Sequence, residues 1–216
     1  MPRPAPEHAR ENVPAWEAAV ITVSDRSARG ERPDRSGPAV ARELSRAGFR
    51  VASLQVIPDE RAPLSAAIRS LARRVALVVT TGGTGLAPRD ITPEATRKVI
   101  DREIPGLSER MRLAGARRTP YAALSRAVSG TLGRTLVLNL PGSPAGAVDC
   151  LKAVLPLLPH ALNVLRSPAC DDHYNVFDYR EDVEYHCKNC GKRLTEPFFL
   201  DTVAVSLGLI AVGDPL

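Results

Sequence analysis

The apolar positions of this chain fall into two periods, and the changes from one to the other lay out its elements. Ala18-Ala19-Val20-Ile21-Thr22-Val23-Ser24 and the run Val75 to Val79 are almost continuously apolar, as strands buried on both faces are. Val51 to Ile57 and Thr135 to Leu140 read as two more strands. Between them the spacing becomes helical. Ser36 is placed to cap a helix carrying Val40, Leu44 and Ala47 and ended by Gly48. Pro63 to Arg73 sets Leu64, Ile68, Leu71 and Ala72 on one face, and further helices are expected around Pro93–Arg102 and Leu107–Arg117. A last helix, about Ala145 to Leu165, contains Pro156 and Pro159 and is predicted to kink there. Strand and helix in alternation predict an α/β domain, a mostly parallel sheet sandwiched between helices.

In such sheets, sites lie beyond the carboxyl ends of the strands. That rule brings together Ser24-Asp25-Arg26, Asp59-Glu60, the loop Gly82–Asp90, and Asn139 to Pro144. The third strand runs through Thr80-Thr81 into Gly82-Gly83-Thr84-Gly85, where missing side chains let backbone N–H groups approach an anion. Arg89-Asp90 follows, and Thr92-Pro93-Glu94 starts a helix with Thr92 as its expected cap. The order of strand, glycine loop, charged pair and helix suits a phosphate group with a metal beside it. A tight strand-to-helix turn would use the same glycines. Two common nucleotide motifs are excluded: no Gly-x4-Gly-Lys-Ser/Thr occurs, and Leu86-Ala87-Pro88 stands where a third dinucleotide-binding glycine belongs.

Two carboxylates, Asp59 and Asp90, flank this loop and suit one Mg²⁺ ion, which takes one or two carboxylates plus substrate phosphates. The competing assignment has Asp59 capping the next helix and Asp90 paired with Arg89.

Composition narrows the class. A chain of 216 residues, 44% apolar and 25% charged, has room for one good core plus extensions. Its net charge of +5 suits anionic substrates, but no basic run alternates with aromatics, so nucleic acid is not an expected partner. Residues 1–15 are rich in Pro, Arg, Glu and Ala; they predict a disordered arm and lack the apolar stretch of a signal peptide. The run Ala204 to Val212 is broken by Ser206 and Gly208 and is too short for a bilayer, so no membrane partner is expected. Four cysteines without a secretory signal point to a cytoplasmic protein with unpaired thiols. Cys150 and His160 are read as structural.

From about Trp16 to Arg166 the chain resembles the molybdopterin adenylyltransferases of the MogA/MoaB type, and the G domains of plant and animal molybdenum-cofactor proteins such as gephyrin. The resemblance rests on Val23-Ser24-Asp25, Pro33-Asp34-Arg35-Ser36-Gly37-Pro38, Ile57-Pro58-Asp59-Glu60 and Thr81-Gly82-Gly83-Thr84-Gly85. It continues through Pro88-Arg89-Asp90-Ile91-Thr92-Pro93-Glu94-Ala95-Thr96, Pro105-Gly106-Leu107, Leu124-Ser125-Arg126 and Leu140-Pro141-Gly142-Ser143-Pro144. It implies a three-layer α/β/α domain over 16–166, a homotrimer or hexamer, and Mg²⁺-dependent adenylylation of molybdopterin by ATP with release of pyrophosphate. Asp59 and Asp90 would be the catalytic, metal-holding pair. Ser24, Asp25, the Thr81–Gly85 loop and Pro141-Gly142-Ser143 would line the substrate pocket, with Ser125 on the pterin side. Arg89 and Arg126 are the cations available to neutralise phosphate oxygens. Some members of the MoaB type bind the pterin with little adenylylation, and a pterin-binding scaffold that docks other cofactor-assembly proteins is the alternative. Insertase domains carry Gly-Gly-x-Ser and competence-damage proteins Gly-Gly-Leu-Gly-Pro-Thr; Thr84 and Pro88-Arg89-Asp90 favour the adenylyltransferases.

The resemblance stops at the extension 167–216. There Cys170-x2-His173 and Cys187-x2-Cys190-Gly-Lys have the number and spacing of a structural zinc site, with a hairpin expected between the pairs, as in a zinc ribbon. His186 is an alternative to His173, and a Cys-x2-Cys with redox or incidental meaning is the alternative to a metal. The acidic residues Asp178, Glu181, Asp182 and Glu184 between the pairs argue against nucleic acid and for a partner surface or a solvated hairpin.

Overall fold

The apolar runs become strands that bury both faces. In the computed structural model, which describes residues 16–166, Tyr185–His186 and Arg193–Leu194, β1 (Glu17–Val23), β3 (Leu77–Thr81) and β6 (Thr135–Leu140) are buried almost end to end. Helices α1 (Asp25–Ala28) and α2 (Ser36–Arg46) lead to β2 (Arg50–Ile57), and α3 (Arg61–Ala72) leads to β3. After β3 come α4 (Thr92–Arg97), β4 (Arg102–Glu103), α5 (Pro105–Ala116), a 3-10 turn at Pro120–Leu124 and β5 (Ser129–Leu132). Beyond β6 lie α6 (Pro144–Val154) and α7 (Leu158–Arg166), joined by the 3-10 turn Leu155–Leu157.

The sheet order is β2-β1-β3-β6-β5-β4. The first four strands are parallel, and β5 and β4 add an antiparallel edge. Alternate residues of the central strands face opposite layers. Val20, Leu77, Val79, Leu136 and Leu138 pack with Leu44, Met111, Leu151 and Leu158 of α2, α5, α6 and α7. Ile21, Val78 and Val137 pack with Leu64, Ile68 and Ala95 of α3 and α4. The result is the three-layer α/β/α arrangement.

Four local expectations are corrected. The antiparallel strands β4 and β5 were not foreseen, because Arg102–Glu103 is exposed and Ser129-Gly130-Thr131-Leu132 lacks an apolar signature. Gly133, at φ 56°, makes the tight turn that folds β5 back on β6. Ser36 begins α2 but does not cap it; Asp34 accepts the Gly37 N–H at 3.1 Å instead and also accepts from Thr22 Oγ1 at 2.7 Å. Thr92 is likewise inside its helix: its hydroxyl donates to Gly82 O at 2.9 Å, and α4 ends at Arg97 rather than 102. Ala47 is an exposed C-cap, and Phe49 enters the core in its place.

The kink predicted from Pro156 is present, since α6 stops at Val154 and a 3-10 turn intervenes. The span Pro144–Arg166 is long and apolar enough to cross a membrane by composition alone. One face of it, Ala147, Leu151, Val154, Leu158 and Leu162, is fully buried against the sheet. Cys150 is buried beside Met111, and burial followed by the charge of Asp149 pushes its thiol up to about 11, so it is not a ready nucleophile.

Residues 167–216 form a separate unit. Its described part is an antiparallel pair, β7 (Tyr185–His186) with β8 (Arg193–Leu194). Positions 174–184, where the sequence places a hairpin between the Cys-x2-His and Cys-x2-Cys pairs, lie outside the described residues. Cys170, His173, Cys187 and Cys190 themselves lie outside the described residues, as does the arm 1–15.

Candidate active site

The end of β3 is where the chain departs furthest from ordinary backbone. Gly82 and Gly83 sit at φ 101° and 61°, where an L side chain is strained. A Cβ on Gly82 would lie 2.4 Å from Val23 O, and one on Gly83 would lie 2.5 Å from Thr92 Oγ1. The loop is tied on three sides. Gly82 N donates to Leu140 O at 3.1 Å, Thr81 Oγ1 to Pro141 O at 2.8 Å, and Thr92 N to Gly83 O at 3.1 Å. Across it, Gly142 approaches so closely that a Cβ there would stand 3.2 Å from Gly82 Cα. Ser143 caps α6 by accepting from Gly146 N at 3.2 Å.

The carboxylates converge on the same loop. Asp25 and Asp59 clasp each other's backbone: Asp59 N donates to Asp25 Oδ1 at 2.9 Å, and Asp25 N to Asp59 Oδ2 at 2.8 Å. Ser24 sets up this clasp by capping α1, accepting from Ser27 N at 3.2 Å. Asp90 folds back to accept the Ala87 N–H at 2.8 Å, and a Cβ on Gly85 would meet its Oδ2 at 2.8 Å. Asp59 does not cap α3, whose N-cap is Glu60, and Arg89 pairs with Asp25 rather than Asp90. Both competing assignments for the aspartates are therefore set aside.

Asp59 is held above its ordinary carboxylate range, first by burial and then by the charge of Asp90. Two like charges near one another form a place where a cation is favoured. The Oδ1 atoms of Asp59 and Asp90 accept no hydrogen bond from described residues, since Oδ2 takes the backbone donor in each. No cluster of three or more His, Cys, Asp or Glu occurs among the described residues. Two hard oxygens with room for phosphate are nonetheless a donor set that fits Mg²⁺.

The raised Asp59 also has a sign for stability. Its charged form is disfavoured in the fold, so its contribution is greatest below the unfolded carboxylate range and is lost as pH rises through the folded value. Asp59→Asn is therefore expected to melt above the wild type at pH 7, with the difference closing as pH falls through the carboxylate range. Thermal scans over a pH series read this directly. A variant that melts below the wild type at pH 7 would show that the clasp with Asp25 outweighs the buried charge.

Arg126 is not free to meet phosphate. Its Nε donates to Gly85 O at 2.6 Å, its other nitrogens reach Glu94 and Asp90 O, and its backbone N donates to Thr84 O at 2.9 Å. It braces the loop from behind. Asn139, assigned to the strand's end, is fully buried within β6; its amide donates to Thr80 Oγ1 and Thr96 Oγ1, both at 2.9 Å.

Two depressions flank the loop. A cavity of about 590 Å³ is lined by Gly83-Thr84-Gly85, Asp90, Ser125 and Pro141-Gly142-Ser143, with Met111, Arg112, Tyr121 and Leu124 as its far wall. On the other side, about 370 Å³ is enclosed by Ser24, Thr81, Gly82 and Ser143 with Arg32 and Arg35. Sequence reasoning missed Arg32, Arg35, Arg112 and Glu94. Arginine is plentiful here, and nothing in the local pattern separates these from surface residues.

These features define an α/β protein whose mixed sheet carries a glycine ridge, two cavities and two carboxylates at its carboxyl edge. Residues 19–160 match the profile of the family described as a probable molybdopterin binding domain, and the chain belongs to that family. It is 38% identical over 150 residues to a molybdopterin adenylyltransferase of Helicobacter pylori, covering 68% of this chain and 85% of that one. It is 43% identical over 152 residues to the molybdenum cofactor synthesis protein cinnamon of Drosophila melanogaster, of which the match spans 25%. Among solved structures, the molybdopterin biosynthesis enzyme MoaB of Thermus thermophilus superposes with a TM-score of 0.66 at 53% identity. That superposition covers 69% of this chain and 96% of the other.

Proposed function

We propose that this protein, a member of a family of molybdenum cofactor biosynthesis, adenylylates molybdopterin with ATP and releases pyrophosphate. The observation that carries the reading is a glycine ridge shared by two cavities, with Asp59 beside Gly83 and Asp90 beside Gly85. Molybdopterin would enter the larger cavity on the Ser125 side, and the polyphosphate of ATP the smaller one, near Arg32 and Arg35. An oxygen of the pterin's terminal phosphate attacks the α-phosphorus; the bond from that phosphorus to the bridging oxygen breaks, and pyrophosphate leaves. The nucleophile is already anionic, so positioning and charge neutralisation supply most of the rate. Backbone N–H groups of Gly83, Thr84 and Gly85 would hold phosphate oxygens without side-chain cost, Gly82 N being bonded to Leu140 O. Mg²⁺ held by Asp59 and Asp90 would offset the charge that builds on those oxygens. The pairing of Arg89 with Asp25 keeps that guanidinium at the rim.

The test is pyrophosphate release from purified protein given ATP, Mg²⁺ and molybdopterin. Turnover supports the enzyme; tight pterin binding with no pyrophosphate overturns it and leaves a scaffold of the MoaB type. The retention of both carboxylates favours the enzyme. The same reading places the protein in the cytoplasm as a homotrimer or hexamer in contact with other cofactor-assembly proteins.

For the extension, Cys170, His173, Cys187 and Cys190 are proposed as structural zinc ligands by their spacing. Metal analysis of the full chain is expected to give one zinc per protomer, lost in Cys187→Ser.

A further inference from the structure

The loop that carries Asp90 is closed on itself by Ala87 and Asp90 alone. Leu86 to Arg89 is exposed, and among the described residues Ala87 N donates to Asp90 Oδ2 and Asp90 N donates to Ala87 O, both at 2.8 Å. What spans it is Arg126, which comes from the strand side of the cavity. Its guanidinium meets the carbonyls of Gly85 and Asp90, the two ends of the loop, and its remaining nitrogen meets Glu94 on α4. All three guanidinium nitrogens are thus spent on one object. Arginine's planar fork can do this; an ammonium, a point charge on a flexible stem, cannot hold three acceptors in fixed directions. Glu94 in turn is kept below its ordinary range: burial, the largest single cause, would raise it, and the bond and charge of Arg126, its own backbone N–H and the charge of Arg61 together outweigh that. Ser125, the residue before the brace, lines the 590 Å³ cavity.

We propose that Arg126, steadied by Glu94, is a positioning residue that fixes the direction of Asp90 and ties the Ser125 wall of the cavity to the metal-holding carboxylates. The inference rests on the reading of Asp59 and Asp90 as the metal site. It makes no use of Arg126 as a phosphate ligand. Partners that orient metal ligands typically contribute 10- to 100-fold in metal affinity or activity.

The experiment compares the wild type with Arg126→Lys and Glu94→Gln, both of which keep side-chain bulk. Each is titrated with Mn²⁺ alone by electron paramagnetic resonance, and melting is recorded in parallel. The expected result is a loss of Mn²⁺ affinity of roughly 10- to 100-fold in both variants. The Mg²⁺ concentration for half-maximal turnover should rise by the same factor. Lowered melting with unchanged Mn²⁺ affinity would make Arg126 a fold residue only and overturn the proposal. If Arg126→Lys does not fold, Glu94→Gln decides the matter by the same reading. A wild type that binds Mn²⁺ but releases no pyrophosphate would sink the adenylyltransferase reading; the fall in Mn²⁺ affinity would still establish the positioning role.

Discussion

Asp90→Asn is expected to cut turnover by about 100- to 1,000-fold while leaving the fold and pterin binding in place, the scale seen when one preorganised electrostatic group is removed. Asparagine keeps an oxygen for the Ala87 N–H, so the hairpin of the loop survives. What goes is a negative charge, and with it one hard oxygen for Mg²⁺. Asp59 feels the change as well: with its neighbour neutral, part of the cause holding it high disappears, leaving burial alone. Calorimetric titration with molybdopterin, set beside pyrophosphate release under single-turnover conditions, separates binding from chemistry. Retained turnover would mean that Asp90 is only a loop residue and would remove the metal from this position.

Gly82→Ala is expected to be the most damaging single-methyl change to the fold. At φ 101° the new side chain is strained by about 1–3 kcal/mol. Its Cβ would also stand 2.4 Å from Val23 O, a backbone atom fixed in the sheet that cannot move aside. Together these set a loss of at least about 3 kcal/mol, a fall in melting temperature of roughly 6–12 °C for a protein of this size. Gly106→Ala is the control, because nothing lies within 4 Å of its added Cβ inside α5. It should be neutral or slightly stabilising, as alanine is in a helix. A Gly82→Ala protein that melts with the wild type would mean that the turn can relax, and the ridge would lose its claim to rigidity.

Much of this was legible before any coordinate. Val75 to Val79 declared a strand buried on both faces, and the glycines after it declared a turn needing special backbone. Parallel sheets collect their loops at one edge, so Asp59, Asp90 and Gly142 were grouped from strand ends alone. Side-chain assignments were less secure. Ser36 and Thr92 are good capping residues by type, yet Asp34 took the first role, and Thr92 was recruited to hold Gly82 O. Arg126 looked like a free cation because sequence shows its charge and not the three acceptors around it. β4 escaped because an edge strand needs backbone partners more than apolar side chains, and β5 because its buried Ser129-Gly130-Thr131 carries no apolar signature. The residues of the extension offered spacing only.

The bonds from Gly82 N to Leu140 O and from Thr81 Oγ1 to Pro141 O join segments some 60 residues apart in the chain. The central strand β3 has β1 on one side and β6, the last strand of the sheet, on the other. Contacts of this span form slowly, because loop closure must come before any reward. A ribosome-bound chain that has released only the part up to β5 therefore owns both aspartates and the glycine loop but no working pocket. Competence arrives in one late step, when β6 slots in beside β3 and brings Pro141-Gly142-Ser143 with it.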